Sequence, residues 1–417
     1  MLKTQLTQAE YDEKRKEHFI TQIKIGKVRH LTDITIDLNA KKRQHLILTG
    51  KNGSGKTSVL SGIRDILLDI TRGNHGRAGN KNKVANLTVG HKKIPIHGID
   101  EDDTDISLTY NLGTEVYEKY RSGEFITSFF SAVRPIHDIL LPSGVENVKL
   151  KHLYTMSDDP AKNIAKYMVH LNAQQLYAEK EGDNQTAENI KAWFDRFEKA
   201  LRILMNDASV SLKYDYKKYN FMIQQDKHNP VNFNQLSHGY ASVFRIFADL
   251  LMRMEQNWAS TSQLSEYDKE GVVLIDELET HLHLEMQKKV LPSLTTLFPR
   301  LQFIISTHSP FVLSSLENVV IYDLENGTLV RQPQGLTDSP YEGIVEGYFG
   351  ADSLSDKLRE KYERFKELVK KENLNDDELQ EISSLELFLD EIPDYLALNI
   401  TTEYRRLKSE FYAQEVE

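Results

Sequence analysis

Cysteine is absent from the 417-residue chain. This absence excludes disulfide bonds, thiolate metal ligands and cysteine nucleophiles, and it suits the reducing cytosol, so we expect a cytoplasmic protein. Long apolar runs are absent too: no segment approaches the roughly eighteen consecutive apolar residues of a membrane span, so no membrane partner is expected. The first residues, MLKTQLTQAEYDEKRKEHF, are polar and charged and lack the apolar core of a signal peptide.

An excess of positive charge is also missing. The chain has 62 acidic and 52 basic residues, a formal net charge of −10. This balance argues against strong nonspecific binding of nucleic acid by the whole surface. A local basic patch stays open as an alternative, although such a cluster is more often a solvated loop. The candidate cluster consists of Arg72, Arg77, Lys81, Lys83, Lys92 and Lys93.

Two further absences limit the choice of enzyme class. The chain has no sustained heptad repeats, which excludes a long coiled-coil arm. After His308 it has neither histidine nor cysteine, which removes His-dependent ribonuclease and HNH-type chemistry from the tail. The stretch GIVEGYFGAD superficially resembles the glutamate motif of a topoisomerase-primase domain, but no downstream D-x-D follows it. We expect Tyr348 and Phe349 instead to anchor the tail to the rest of the protein.

Strand-like and helix-like segments alternate along the chain and predict an α/β fold around a mostly parallel sheet. A loop-rich insertion is expected over residues 71–105, helices over about 159–206, and an acidic helical tail from about 334. The following segments read as strands or hairpins: HFITQIKIG, LTDITIDLN, HLILTG, ISLTYNL, EVYEKY, FITSFFSAV, SVSLKYDYKKYNFMIQQD, GVVLIDE, LQFIISTHSP and VVIYDLENGTLV.

The order of these segments predicts four parts. Residues 19–150 form an N-terminal lobe with a loop insertion, and residues 151–232 form a helical insertion with a hairpin. Residues 233–333 form a C-terminal lobe, and residues 334–417 form the helical tail.

The stretch GKNGSGKT, Gly50 to Thr57, matches the phosphate-loop pattern G-x-x-x-x-G-K-[ST]. It lies between a predicted strand and a predicted helix, the context that separates this motif from a chance glycine-rich turn. Backbone amides of such a loop surround the phosphates of ATP. Lys56 is expected to reach the terminal phosphates, and the Thr57 hydroxyl to bind Mg²⁺. The predicted nucleotide-binding residues are Gly50, Asn52, Gly53, Ser54, Gly55, Lys56, Thr57 and Ser58.

Two carboxylates and a histidine follow two later predicted strands. Asp276 and Glu277 end VVLIDE, and His308 follows LQFIIST. An Asp at such a strand end binds Mg²⁺, often through water, and the adjacent Glu acts as a general base toward the attacking water. A neutral His308 imidazole could hydrogen-bond the γ-phosphate. The alternative is that STHS simply caps a helix.

A second candidate anion site is LSHGY, with Ser237 and Gly239 ahead of a predicted helix. Phosphate loop, LSHGY, strand-Asp-Glu and strand-His occur in an order that resembles the ABC-type ATPase superfamily. DELETHLHLEMQ is similar to its soluble branch, which contains RecF, the overcoming-lysogenization-defect nucleases and many phage-defence ATPases. The resemblance implies a P-loop NTPase head with a parallel sheet and an antiparallel subdomain. It also implies that Ser237 and Gly239 complete the ATP site of a second subunit, giving a homodimer or higher oligomer. The alternative is an ordinary capped helix start.

Two details concern the resemblance itself. The family has a Mg²⁺-contacting Gln after the strand that here reads FFSAVRP, and the sequence has no Gln there; Arg134 is the candidate to replace part of its role. His281 and His283 form an H-x-H pair that could suggest zinc, but no third ligand is apparent.

Three functions compete. The compact head and nuclease-free tail resemble the ATPase subunit of Septu-type antiphage systems, which implies a sensor or regulatory ATPase with a separate effector nuclease. A RecF-like repair ATPase would bind DNA directly through the basic cluster. A non-hydrolysing, nucleotide-gated scaffold would differ from both in showing no turnover.

Overall fold

A computed structural model describes most of the chain. The described residues are 17–72, 85–89, 92–96, 105–111, 115–135, 137–226, 229–255, 269–330, 356–371, 374–390 and 398–414. The chain divides into two compact units, Met1–Ser339 and Pro340–Glu417. The prediction about Tyr348 and Phe349 falls outside the described residues. Among the helices that are described, none combines the length and the apolar character that crossing a bilayer requires.

The larger unit contains a six-stranded sheet with strand order β13-β12-β3-β11-β10-β7. Five of these strands run parallel, and β13 pairs antiparallel to β12 at one edge. Strands β3, β10 and β11 are buried at every position, which explains why they appear in the sequence as continuous apolar runs. The strands are β3 (His45–Thr49), β7 (Phe125–Phe130), β10 (Glu270–Ile275), β11 (Leu301–Ser306), β12 (Val319–Asp323) and β13 (Thr328–Val330).

A second sheet of five strands has the order β2-β1-β6-β4-β5. Its pairs are antiparallel except for β4 with β6. A separate hairpin joins β8 to β9. The strands are β1 (Ile20–Val28), β2 (Leu31–Asp37), β4 (Ala85–Val89), β5 (Lys92–Ile96), β6 (Asp105–Tyr110), β8 (Ser211–Asp215) and β9 (Asn220–Gln224). The predicted α/β fold, with a mostly parallel sheet plus an antiparallel one, is confirmed.

Seven described α-helices belong to the larger unit. They are α1 (Lys56–Arg72), α2 (Glu115–Ser122), α3 (Ile164–Glu181), α4 (Asn184–Met205), α5 (His238–Met254), α6 (Leu284–Leu297) and α7 (Pro310–Leu313). Helix α1 carries Val59, Leu60 and Ile63 into one continuous apolar core with side chains of both sheets. The helix that follows the phosphate loop is therefore fixed from two sides.

One local prediction is wrong, and another left out two strands. EVYEKY was expected to be a strand, but Glu115–Ser122 is helical, because Val116 and Tyr120, four residues apart, are both buried on one side of α2. The 71–105 segment was expected to be loop-rich, yet it contains β4 and β5, which pair antiparallel. Strand β5 lies at the sheet edge, where a proline such as Pro95 is tolerated.

The smaller unit contains three described helices: α8 (Asp356–Leu368), α9 (Asp376–Asp390) and α10 (Leu398–Gln414). They share an apolar cluster that includes Phe365, Leu389 and Tyr404. Helical structure was predicted for this region, and these three helices agree with it. Of the basic cluster proposed in the sequence, Arg77, Lys81 and Lys83 lie outside the described residues.

Candidate nucleotide-binding site

The central strands of the large sheet bring their carboxyl ends to one edge. In sheet order, β3 is followed by the phosphate loop, β11 by His308, β10 by Asp276 and Glu277, and β7 by the segment that contains Arg134. Parallel neighbours end at the same edge of a sheet, where ligands of open α/β folds bind. The motifs that are far apart in the sequence are therefore adjacent in space.

The phosphate loop has the backbone that its glycines allow. Gly50, Gly53 and Gly55 have φ angles of 127°, 84° and 98°, a region that other residues rarely adopt. A Cβ on Gly55 would lie 2.7 Å from Leu31 Cδ1, so this position also lacks space for a side chain. The loop then enters α1, whose amino-terminal end faces the loop.

Lys56 is buried beneath the loop with 6% of its surface exposed. Its Nζ donates to the carbonyls of Gly50 at 2.8 Å and Lys51 at 2.9 Å. Burial lowers the pKa of Lys56, while the nearby carboxylates of Glu277 and Asp276 oppose that effect. The ammonium is thus held at the centre of the loop, where the predicted contact with terminal phosphates requires it.

Asp276 and Thr57 are in direct contact. The Thr57 hydroxyl donates to Asp276 Oδ2 at 2.9 Å, and the Ser306 hydroxyl donates to Asp276 Oδ1 at 2.5 Å. Asp276 is 2% exposed, so these bonds fix its carboxylate. A hydroxyl beside a carboxylate is the oxygen donor set that Mg²⁺ prefers, so the two predicted metal ligands fit this ion.

Glu277 occupies an unusual backbone conformation. Its φ is 46°, in the left-handed region that a non-glycine residue rarely adopts. Its amide donates to the Ser306 hydroxyl at 2.8 Å, and its carbonyl accepts from Arg134 Nη2 at 2.8 Å. Glu277 lines the same cavity as the phosphate loop, and its Oε2 accepts from the Thr280 hydroxyl at 3.3 Å.

His308 reaches that cavity from the end of β11. Its amide donates to Glu279 Oε1 at 2.5 Å, and the other oxygen of Glu279 accepts from the Thr307 hydroxyl at 2.7 Å. Burial, and next the charge of Lys56, lower the pKa of His308 below its ordinary value. The imidazole is therefore neutral at pH 7, as a hydrogen-bonding role toward a phosphate requires. Ser309, rather than His308, caps the short helix α7.

The cavity has a volume of about 230 Å³ and contains two residues that sequence reasoning missed. Arg29 and His30 form the two-residue turn between β1 and β2, where Val28 pairs with Leu31. Arg29 has a φ of 52°. No glycine or asparagine marks this turn, so the sequence contained no hairpin signal there. The residues lining the cavity are Arg29, His30, Asn52, Gly53, Gly55, Lys56, Thr57, Ser58, Glu277 and His308.

The signature residues lie elsewhere. Ser237 is the N-cap of α5 with no side-chain capping bond, and it is exposed. Gly239 packs against the segment after Glu277: a Cβ there would lie 2.9 Å from the His281 carbonyl oxygen. Neither residue belongs to the described lining of the phosphate-loop cavity. The structure brings the phosphate loop, Asp276, Glu277 and His308 together, and leaves Ser237 outside that group.

Histidines surround the exposed signature turn. The ring of His238 lies 5.3 Å from that of His137 and 5.9 Å from that of His281, measured between centroids. In the part of the chain that is described, no group of three or more His, Cys, Asp or Glu residues has the arrangement of a metal site. His281 has a φ of 68°. The H-x-H pair thus belongs to the turn on which Gly239 rests.

Similarity to known proteins was found for most of the chain. Residues 155–314 match the family model described as "AAA domain, putative AbiEii toxin, Type IV TA system". Septu protein PtuA of Bacillus mycoides (strain KBAB4) is 26% identical over 391 residues, which is 89% of this chain and 50% of that protein. The Retron Ec83 probable ATPase of Escherichia coli is 31% identical over 147 residues, 34% of this chain and 27% of that protein. The chain spans half or less of the length of these relatives.

Among solved structures, one match is an SMC head bound to the C-winged helix domain of ScpA. That structure is 14% identical, with a TM-score of 0.40, and the match covers 77% of this chain and all of that one. A nucleotide-free ATP-binding cassette from an ABC transporter has a TM-score of 0.35 at 12% identity, over 81% of this chain and 98% of that one. At these TM-scores the fold assignment depends on the strand order and on the phosphate loop of the chain itself. The sequence comparisons confirm the predicted resemblance to Septu-type ATPases.

Proposed function

We propose that this protein is an ABC-type ATPase that dimerises around ATP and hydrolyses it. The observation that carries this proposal is the shared cavity, in which the phosphate loop meets Glu277 and His308. The Thr57–Asp276 hydrogen bond connects the loop to the same carboxylate turn. A nucleotide-binding scaffold alone would need the loop; the additional carboxylate and neutral imidazole are the groups that hydrolysis needs.

Each residue has a defined role in this proposal. The loop amides and Lys56 bind the phosphates of ATP, and Thr57 with Asp276 holds Mg²⁺. The bound Mg²⁺ supplies charge that stabilises the phosphoryl group during transfer. Glu277 accepts the proton of the attacking water, and the neutral His308 orients the γ-phosphate through a hydrogen bond.

The second half of each site comes from another subunit. Ser237 is exposed and caps no backbone group of its own helix with its side chain, so its hydroxyl is available to a partner. The amino-terminal end of the 17-residue helix α5 adds a favourable field for an anion. We therefore place the γ-phosphate of one subunit's ATP against Ser237 and Gly239 of the other.

At the level of the cell, the proposed role is that of sensor or regulatory subunit in a bacterial antiphage defence complex with a separate effector nuclease. The support is the similarity to Septu protein PtuA over 89% of the chain. In the proposal, ATP-dependent association of the heads controls the nuclease. Coexpression with a nuclease encoded beside this gene should give a complex on size exclusion. A neighbourhood of replication genes without a nuclease would instead favour the DNA-repair alternative.

Substitution of Glu277 tests the ATPase proposal directly. Glu277→Gln keeps the shape of the side chain but cannot accept a proton, so turnover should fall by about 10²-fold or more. ATP binding and ATP-dependent dimerisation should remain, and the dimer should accumulate. Glu317→Gln, an exposed residue of the same unit, is the matched control and should hydrolyse ATP normally.

Two results would contradict the proposal. Turnover of Glu277→Gln within a few-fold of wild type means that Glu277 is not the base. ATP-dependent dimerisation of wild type without any turnover means that the protein is a nucleotide-gated scaffold.

A further inference from the structure

Arg134 makes an uncommon pair of hydrogen bonds. Its guanidinium donates from Nη1 to the carbonyl of Asp276 at 3.0 Å and from Nη2 to the carbonyl of Glu277 at 2.8 Å. The two acceptors are consecutive backbone carbonyls of the turn that carries the proposed metal ligand and base. A planar fork with two parallel donors fits such a pair, whereas a lysine ammonium has no fixed fork.

The guanidinium is held there at an electrostatic cost. Arg134 is 6% exposed, and its Nε is buried with no hydrogen-bond partner. Burial lowers the pKa of Arg134 to about 10, against the opposing effect of Glu279, Asp276 and Glu277, so the side chain stays charged at neutral pH. Both terminal donors of this buried cation go to main-chain oxygens. The contacts of Arg134 therefore restrain the backbone at Asp276 and Glu277.

That backbone needs support. Glu277 has a φ of 46°, and strained non-glycine conformations of this kind persist only where the surroundings determine them. The Ser306 hydroxyl accepts from the Glu277 amide at 2.8 Å, and the Thr280 amide donates to the Glu277 carbonyl at 3.1 Å. Arg134 adds a second donor to that same carbonyl and a first to the preceding one. Without it, the Asp276 and Glu277 carbonyls lose their donors from the segment after β7, and only the Asp276 amide still bonds to β7, at the Phe130 carbonyl (2.8 Å).

Arg134 belongs to the segment that follows β7, residues 131–135 and 137–140, which we call the β7 connector. Other residues of this connector are bonded to neighbouring elements. Asp138 of the connector is ion-paired with Arg245 of α5. The Ile139 amide donates to Asn234 Oδ1 at 3.0 Å, and the Asn234 amide donates back to the Ile139 carbonyl at 2.8 Å. The connector thus attaches to the segment just before the signature and to the signature helix.

We propose that Arg134 is a positioning residue for ATP hydrolysis: by binding the Asp276 and Glu277 carbonyls it holds the Glu277 backbone in the left-handed conformation that directs the carboxylate into the phosphate-loop cavity. This inference rests on the proposed ATPase function. Arg134 contacts neither nucleotide nor metal in this role. Through the β7 connector, Arg134 is linked to the segment around Ser237. In the proposed dimer this segment faces the partner subunit, so the position of Glu277 depends on it.

The experiment compares Arg134→Ala and Arg134→Lys with wild type in kcat, in the Kd for MgATP and in melting temperature. Loss of the two hydrogen bonds from Arg134 should lower kcat by about 10²-fold, because small misplacements of a catalytic group have effects of this size. The Kd for MgATP should change by less than about threefold, because the loop and Lys56 are untouched. Arg134→Lys should recover only part of kcat, because one ammonium cannot span both carbonyls in the same way.

A double variant separates positioning from general stability. In Arg134→Ala combined with Glu277→Gln, kcat should be no lower than in Glu277→Gln alone, because the group being positioned is already disabled. Arg202→Ala is the matched control: Arg202 Nε donates to the Val210 carbonyl at 2.8 Å, on the helical insertion. This variant also loses an arginine–carbonyl bond, and its kcat should match wild type.

Several outcomes overturn the inference while leaving the proposed function intact. Turnover of Arg134→Ala within about threefold of wild type excludes a positioning role. Equal losses in kcat and ATP affinity would show a ligand contact instead, and additive losses in the double variant would show an action independent of Glu277. If Arg134→Ala fails to fold, Arg134→Lys and its double variant decide by the same criteria. Wild-type protein without ATP turnover overturns the proposed function itself and this inference with it.

Discussion

The two halves of the proposed ATP site are built differently. The phosphate-loop half is a closed network, in which Lys56 is 6% exposed and Asp276 is 2% exposed. The signature half is presented outward: Ser237 and His238 are exposed, and the Ser237 side chain caps nothing in its own helix. Ligand-binding groups that act within one subunit can be buried, whereas groups that act on a partner's ligand must lie at the surface. This difference is the one that the proposed completion of each ATP site by a partner subunit requires.

The largest expected effect is at the centre of the closed half. Lys56→Ala removes the ammonium that faces the terminal phosphates, so affinity for MgATP should fall by at least about 10²-fold, as expected when a charged hydrogen-bonding partner is lost from a buried site. Equilibrium binding of a fluorescent ATP analogue measures this loss. Lys51→Ala is the control, because Lys51 Nζ pairs with Glu325 at the surface. Near-normal affinity in a folded Lys56→Ala protein would show that ATP binds elsewhere.

Mixing two defective proteins tests whether the outward half serves a partner. In the proposed site, Lys56→Ala should bind ATP too weakly to fill its own phosphate loop, and Ser237→Arg should block its own signature. In a mixed dimer, the intact phosphate loop of the Ser237→Arg subunit faces the intact signature of the Lys56→Ala subunit. ATP-dependent association, measured by analytical ultracentrifugation, should therefore reappear in the mixture although each protein alone lacks it.

The control for this mixture is wild type under the same conditions. No association in the mixture, with both variants folded and wild type associating, would falsify the assignment of Ser237 to the partner's site. Association is a better readout than hydrolysis, because turnover can require two working sites in one dimer.

A smaller effect is expected where the two halves touch within one chain. In Gly239→Ala the new Cβ would lie 2.9 Å from the His281 carbonyl oxygen, and a backbone atom cannot move away as easily as a side-chain end. Overpacking of this kind costs about 1–3 kcal/mol of unfolding free energy. Chemical denaturation should show that loss, although alanine normally stabilises a helix more than glycine does. Ser242→Ala, on the same helix, is a useful comparison. An unchanged or higher stability of Gly239→Ala would mean that α5 is not packed on the His281 turn.

The smallest effect concerns pH and the strand beneath the phosphate loop. Burial lowers the pKa of His45 to about 3, and its Nδ1 accepts from the Phe303 amide at 3.1 Å. As the pH falls, His45 is protonated near pH 6.5 in the unfolded state but only near pH 3 in the folded state. The contribution of neutral His45 to the free energy of unfolding is therefore present above pH 6.5 and is lost as the pH falls below that value. Between pH 7.5 and 5.5 the loss from this residue is about 1.4 kcal/mol.

His45→Asn tests that slope, because an amide oxygen can replace Nδ1 as an acceptor and does not titrate. The free energy of unfolding should change less between pH 7.5 and 5.5 in His45→Asn than in wild type, whatever the absolute stability of the variant. Leu176→Ala, at an exposed position without a titratable group, is the control and should keep the wild-type slope. Equal slopes for wild type and His45→Asn would assign the acid sensitivity to other groups.

Much of the fold was readable from local patterns. HLILTG, GVVLIDE and LQFIISTHSP were predicted to contain strands, and the three strands found there are central in the large sheet. EVYEKY was misread because valine and tyrosine favour strands, whereas Val116 and Tyr120, four residues apart and both buried, lie on one face of a helix. The strands within residues 71–105 were missed because their charged and glycine-rich flanks dominated the local composition.

The candidate site was less complete in the sequence than the fold. Ser306 and Glu279 hold Asp276 and His308 in place, but their roles depend on contacts that no motif pattern specifies. Arg29 and His30 enter the cavity from the other sheet, and nothing in the phosphate-loop pattern points to a turn 20 residues earlier. Arg134 was expected to replace a metal-contacting glutamine, but its two terminal nitrogens bind backbone carbonyls.

The sequence by itself determined the phosphate loop and the strand-ending carboxylates, because these depend on residue types at short fixed spacings. The resemblance to Septu-type ATPases was also visible in the sequence, in the compact head and the nuclease-free tail. The tertiary structure alone decided the order of strands along the sheet edge, the left-handed backbone of Glu277 and the separation of Ser237 from its own phosphate loop. Each of these depends on contacts between residues that are distant in the chain, such as Arg134 with Glu277. Parallel strand pairing brings such residues together, and the spacing of residues within one segment does not show which strands will pair.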